Sequence, residues 1–181
     1  MAKGNRKVSN TNPPKTNVIN IVSPSGKNVK LSFDFSYPRW LCGVQNKSFT
    51  NMLKDSEEFA KSITHVLNKL IPVITDNWDI IKDRPGNQFP HCHPVPPDKV
   101  DLVKRIETEI HGKKLLDSEA EQNIKYWQVG LEGIRLFVLY NYSANIMFPI
   151  FIDYHHLIHP SKWHNERDTS NLTFCPVSQY C

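Results

Sequence analysis

Two apolar runs near the C-terminal end do most to limit what this chain can fold into. Residues 134–140 (IRLFVLY) and 146–154 (IMFPIFIDY) flank the polar stretch 141–145 (NYSAN). β-branched and aromatic residues on both sides of a short polar connection predict an antiparallel hairpin. The runs are continuous rather than alternating, so the strands are expected to be covered on both faces or to lie at the sheet centre. Pro149 predicts a bulge or an unpaired edge in the second strand. Residues 126–129 (YWQV), followed by Gly130 and Gly133, lead into the hairpin. The best apolar run, 146–152, is interrupted by Pro149 and is far shorter than the roughly 18 residues that cross a bilayer.

The N-terminal half reads differently. Residues 17–22 (NVINIV) and 28–35 (NVKLSFDF) surround a Pro/Gly turn, a hairpin signal in which Val29, Leu31, Phe33 and Phe35 share a face. From 48 to 74 the apolar spacing changes to 3.6, through Phe49, Met52, Leu53, Phe59, Ile63, Val66, Leu67, Leu70 and Ile71. That predicts helix, with Asp55–Ser56–Glu57–Glu58 either a break or the capped start of a second one, and Pro72 an end or a kink. Residues 83–97 hold five prolines and one glycine and read as a loop. A further helix opens at Pro97–Asp98 and stops at Gly112. The predicted class is α+β, a small antiparallel sheet with helices packed on one side. Residues 1–16 are expected to form a disordered basic tail. Residues 17–181 form a single domain, made of an N-terminal hairpin and linker (17–47), a core (48–160) and a C-terminal extension (161–181).

The charge narrows the partners. The chain carries 22 Lys and Arg against 18 Asp and Glu. The tail holds Lys3, Arg6, Lys7 and Lys15 with no acid, so the rest of the chain is neutral. A neutral body lacks the long-range field of a protein that coats DNA. The start of the sequence does not read as a secretory leader, so a cytoplasmic protein with no membrane partner is expected. The 4 cysteines share no CxxC spacing and read as reduced thiols.

Chemistry concentrates in residues 153–165 (DYHHLIHPSKWHN), which hold four of the 8 histidines. Strand alternation points Asp153 and His155 to one face, Tyr154 and His156 to the other. A second histidine group, His91-Cys92-His93, sits in the proline-rich loop. Three readings compete. Zinc or another divalent metal could be held by His91, His93, His155 and His156, although no HExxH or CxxC spacing supports it. Metal-free acid–base chemistry on RNA needs a base, an acid and a cation. The histidines could supply the first two, and Arg135, a lone charge in an apolar strand, the third. The structural reading pairs Arg135 with Asp153 across the hairpin and leaves the histidines as polar residues at a sheet edge. No Walker A, GxGxxG or GxSxG sequence supports nucleotide hydrolysis, dinucleotide redox or serine hydrolysis.

The stretch from Tyr126 to His156 resembles the C-terminal half of RelE/ParE-like toxins of bacterial toxin–antitoxin modules. Gly133 and Arg135 match a glycine-x-arginine step, and Tyr154, His155 and His156 match the end of the last strand. The resemblance covers residues 48–160 and implies a toxin-like endoribonuclease that cuts RNA without cofactor, with an antitoxin, RNA or the ribosome as partner. By carry-over Arg135 stabilises the phosphate and His155 or His156 acts as acid or base; His159 and Lys162 complete the expected site. The alternatives are a non-enzymatic protein-interaction module on the same fold and a metal-dependent nuclease or hydrolase using the histidine clusters.

Overall fold

A computed structural model describes residues 30–116, 123–160, 169 and 171–181. The tail, the strand expected at 17–22 and Lys162 lie outside them. The sheet is built from β1 (Ser32–Phe33), β2 (His93–Pro94), β3 (Ile124–Leu131), β4 (Ile134–Asn141) and β5 (Ile146–Asp153). Its strand order is β1-β5-β4-β3-β2. The expected hairpin is present as β4 and β5, and β1 joins β5 in parallel while the other pairs are antiparallel. The fold is therefore α+β with a mostly antiparallel sheet. Pro149 does produce a bulge. Val138 faces Pro149 while Phe137 faces Phe151, which leaves Ile150 as the extra residue. The short β1 pairs only with Ile146 and Met147, so the proline's missing N–H interrupts no bond on that side.

Helices cover both faces of the sheet, where one was expected. On the first face, α1 (Ser56–His65) runs through a π-turn at Val66–Leu70 into α2 (Ile71–Asp83). Val66, Leu70, Ile74, Trp78 and Ile81, spaced by three or four, pack on Trp127, Val129, Val138 and Tyr140. On the second face, Val103, Ile106 and Ile110 of α3 (Pro97–His111) meet Tyr126, Phe137, Leu139 and Phe151. Period-2 alternation along β3 and β4 divides these two sets, and apolar residues on both sides of a strand demand two covers. Each fully buried side chain of this size stabilises by about 1.5–3 kcal/mol, so neither layer is dispensable.

The first long helix begins later than its apolar spacing implies. Asp55 is its N-cap and accepts from the Glu58 N–H at 2.9 Å, so the acidic stretch is a start and not a break. Phe49, Met52 and Leu53 precede it in non-helical chain. There Asn46 accepts from the backbone of Ser48 and Phe49, and Asn51 bonds the backbone of Val44 and Cys42. Asparagine side chains offering such local bonds compete with helix formation. Pro72 does not end the helix. The Ile71 N–H reaches back to Val66 O, and this wide turn makes room where the ring would crowd the carbonyl four residues earlier. At the far end of this face, Trp78 Nε1 donates to Tyr140 Oη (3.1 Å) and Asn145 Oδ1 (3.0 Å), and Tyr140 donates to the same Asn145 oxygen at 2.6 Å.

Candidate functional site

The proline-rich loop folds onto the sheet and brings the two histidine groups together. Residues 93–94 form the edge strand β2, antiparallel to β3, with His93 opposite Gln128. Gln128, 2% exposed, donates its amide to His91 O (3.2 Å) and to His93 Nε2 (3.4 Å). His93 Nδ1 lies 2.9 Å from Pro94 O. Because a carbonyl only accepts, the proton sits on Nδ1, and Nε2 is the acceptor facing Gln128. The His93 ring meets the His159 ring edge-on, 5.7 Å between centroids. Residues more than sixty apart in sequence thus share one end of the sheet.

Gly130 is what lets them approach. It lies opposite Arg135 in the β3–β4 ladder. A Cβ built on it would stand 2.6 Å from Arg135 Cδ and 3.0 Å from His91 Cβ. The arginine stem and the His91 side chain therefore flank one point above a bare backbone. Arg135 Nη1 donates to Glu132 O (2.9 Å) and Ile134 O (3.0 Å), which fixes the guanidinium over the β3–β4 turn. Asp153 is its register partner on β5, as the structural reading required. The carboxylate, however, is taken by the N–H groups of His155 (3.2 Å), Leu157 (3.1 Å) and Ile158 (3.0 Å), which turn the chain after β5. Arginine and aspartate thus feel each other without forming an ion pair.

The histidines differ in what they can do. His155 is 4% exposed and donates Nε2–H to Met52 O at 2.8 Å. It ties β5 to the 42–53 segment. His156 takes a left-handed backbone, φ +59°, and places Nε2 3.0 Å from Gly133 O. His91 is exposed at the surface; partial burial, then Arg135, His156 and His93, push its pKa below the ordinary histidine value. His159 is lowered by burial first, then by His93 and Lys99, against the pull of Asp153 and Asp98. Burial also works against the charge on Arg135, which Asp153 partly offsets.

Among the described residues the arrangement offers no metal centre: no three His, Cys, Asp or Glu side chains converge on one point. Of the four expected ligands, His155 is turned to Met52, His156 to Gly133, and His93 to Gln128. Nor do two cavities coincide with the histidines. One of about 200 Å³ lies beside Val100, Lys104 and Tyr126, and one of about 590 Å³ lies beside Asp79, Arg84 and Phe89. Gln128 and Gly130 were not singled out in the sequence. The signal that could have found Gln128 is a lone amide in an apolar strand, which needs a buried partner.

The family described as "Uncharacterised protein UU032" matches residues 36–181. The chain belongs to this UU032 family. An "Uncharacterized protein UU032" of Ureaplasma parvum serovar 3 is 31% identical over 177 residues, which cover 97% of this chain and 95% of that one. No solved structure matches. Membership of the UU032 family corrects the resemblance to RelE/ParE-like toxins, which neither match supports. A strand, a glycine-bearing turn and an arginine-bearing strand recur in many folds, so those residues did not specify that one. The antitoxin and the ribosome lose their support as partners along with it. No helix among the described residues is long and apolar enough to cross a membrane.

Proposed function

We propose that this member of the UU032 family is a metal-independent endoribonuclease whose site is centred on Arg135, with His91 and His156 as the acid–base pair. The observation that carries the reading is the convergence of His91 and Arg135 over Gly130. It puts a neutral imidazole, exposed at the surface, beside a fixed and largely buried guanidinium. Among the described residues Arg135 Nε and Nη2 have no protein acceptor, so the donors suited to a phosphate remain available. His91, held below the usual histidine value, is unprotonated near neutral pH and suited to accept a proton. In the proposed step His91 takes the 2′-hydroxyl proton and O2′ attacks phosphorus. The P–O5′ bond then breaks, and His156 gives a proton to O5′. The products are a 2′,3′-cyclic phosphate and a 5′-hydroxyl. His155 and His159 act as supports.

The test is incubation of the full chain with end-labelled single-stranded RNA in excess EDTA. Expected are cyclic-phosphate ends, no cleavage of DNA of the same sequence, and a loss of about 10²–10⁴ in rate for His91→Ala. Absence of cleavage, cleavage only with added metal, or an undiminished His91→Ala overturns the proposal. One observation favours a second reading, a non-enzymatic interaction module. Arg135 is 7% exposed, and its Nη1 already serves two carbonyls. In that case the RNA stays intact and Arg135→Lys changes only partner binding.

A further inference from the structure

Away from the histidines, the segment after β5 returns to pack its end against the 42–53 stretch. Phe174 and Leu53 exchange backbone bonds of 2.8 and 3.0 Å, and the next residue, Cys175, leads into α4 (Pro176–Tyr180). Cys175 Sγ is the acceptor of three hydrogen bonds. They come from Gly43 N–H (3.1 Å), Ser178 N–H (3.3 Å) and Ser178 O–H (3.2 Å). Gly43 is the residue after Cys42, and a Cβ on it would lie 3.0 Å from Cys175 Cβ. The bare backbone at position 43 thus lets Cys175, along with Met52, pack directly against the residue that follows Cys42. Both cysteines are buried in the same apolar cluster.

We infer that Cys175 and Cys42 form an oxidisable pair, in which Cys175 attacks a peroxide and is oxidised by it, and Cys42 closes a disulfide that staples the C-terminal segment to the 42–53 stretch. A sulfur that only accepts hydrogen bonds is better matched as thiolate than as thiol. Burial acts to raise Cys175, but the bonds from Ser178, Gly43 and Val177 outweigh it and leave its pKa lowered. Cys42 is the opposite. Burial raises it, then the neighbouring Cys175, against a smaller pull from Arg39. A lowered attacking thiol beside a raised one is the division of labour such a reaction needs.

The step balances with hydrogen peroxide as oxidant. The Cys175 thiolate attacks one peroxide oxygen, the O–O bond breaks, and the departing hydroxide takes a proton to become water, leaving a sulfenic acid. Cys42 then gives up its proton and attacks the Cys175 sulfur. The S–O bond breaks and the hydroxide leaves as a second water. Two thiols are oxidised by two electrons, and one peroxide is reduced to two waters. Reagent enters by local opening of the terminal segment, whose backbone is paired to the rest of the chain by a two-bond bridge at Phe174 and which ends in a helix of five residues.

The full chain is treated with hydrogen peroxide at neutral pH, thiols are counted under denaturing conditions, and disulfide-linked peptides are read by mass spectrometry. Expected is a loss of two of the 4 thiols with the mass of two hydrogens and one Cys42–Cys175 linkage, restored by dithiothreitol. Cys42→Ser halts the reaction at a sulfenic acid on Cys175, trapped by dimedone. Cys175→Ser, which keeps an acceptor for the same N–H groups, abolishes the linkage. Peroxide that consumes the exposed Cys181 while Cys42 and Cys175 stay reduced overturns the inference. So does Cys42→Ser without a dimedone adduct at Cys175, and because Ser replaces a thiol that makes only weak contacts, that variant still folds.

Discussion

Gly130→Ala tests whether the two histidine groups really meet over β3. The new Cβ would sit 2.6 Å from Arg135 Cδ, 2.9 Å from Ile134 O and 3.0 Å from His91 Cβ. None of these neighbours yields easily. The guanidinium beyond Cδ is held by two carbonyls, and Ile134 O belongs to the partner strand. Forcing one methyl into a filled space costs about 1–3 kcal/mol. Replacing glycine in a strand interior returns about 0.5–1 kcal/mol of backbone entropy. The net expectation is a destabilisation of roughly 1–2 kcal/mol, which in a chain of this size lowers Tm by about 2–8 °C. Gly133→Ala is the control, because nothing lies within 4 Å of its Cβ position. It should change stability by no more than about 0.5 kcal/mol. Thermal unfolding followed by circular dichroism reads both. NMR titration of His91 supplies a second signal, since displacing Arg135 removes one cause of its lowered pKa and should move the midpoint up. If Gly130→Ala melts with Gly133→Ala and leaves His91 unmoved, the loop does not lie where the proposed site needs it.

Two further changes probe the second apolar core, between α3 and the sheet. Phe137→Ala removes a fully buried ring stacked on Phe151 at 4.8 Å and should cost about 3–5 kcal/mol, measured by denaturant titration. A loss below about 1 kcal/mol would mean the second helical layer does not close over β4. Glu107 is 1% exposed, bonded to Tyr126 Oη–H and Leu115 N–H, both at 2.7 Å, and burial raises its pKa. A carboxyl raised on folding gives stability that is complete below its unfolded value and lost as pH rises through the folded one. Melts from pH 4 to 8 should show Glu107→Gln gaining on the parent as pH rises; a constant gap would place the carboxyl in solvent.

The central hairpin was legible because its strands are long and apolar, whereas the parallel pairing of β1 with β5 and the two-residue edge strand β2 were not. Residues 134–140 and 146–154 fall on β4 and β5; their continuous apolar runs were compatible with cover on both faces or with a place at the sheet centre, and helices were expected on one side only. The helix boundaries were less legible, because Phe49, Met52 and Leu53 satisfy a helical period by accident. What decides their conformation is Asn46 and Asn51, whose side chains capture backbone groups that a helix would use. Which face α3 would cover could not be read from its own stripe, since an amphipathic helix specifies that it packs and not against what.

The histidine run at 153–159 was visible in the sequence, and its division of labour was not. His155 and His156 are adjacent and alike in composition, yet one is drawn inward to Met52 O and the other turned at the surface by a left-handed backbone. That difference originates in Asp153. Its carboxylate gathers three N–H groups of the following turn and so fixes where each ring points. The same bonds explain why opposite charges in perfect register do not close an ion pair. An aspartate satisfied by three backbone donors gains little from a guanidinium, and an arginine fixed by two carbonyls need not cross the strand to reach it. Because Asp153 is spent on the turn, Arg135 keeps Nε and Nη2 without a protein acceptor among the described residues, and that availability depends on a carboxylate with which it forms no ion pair.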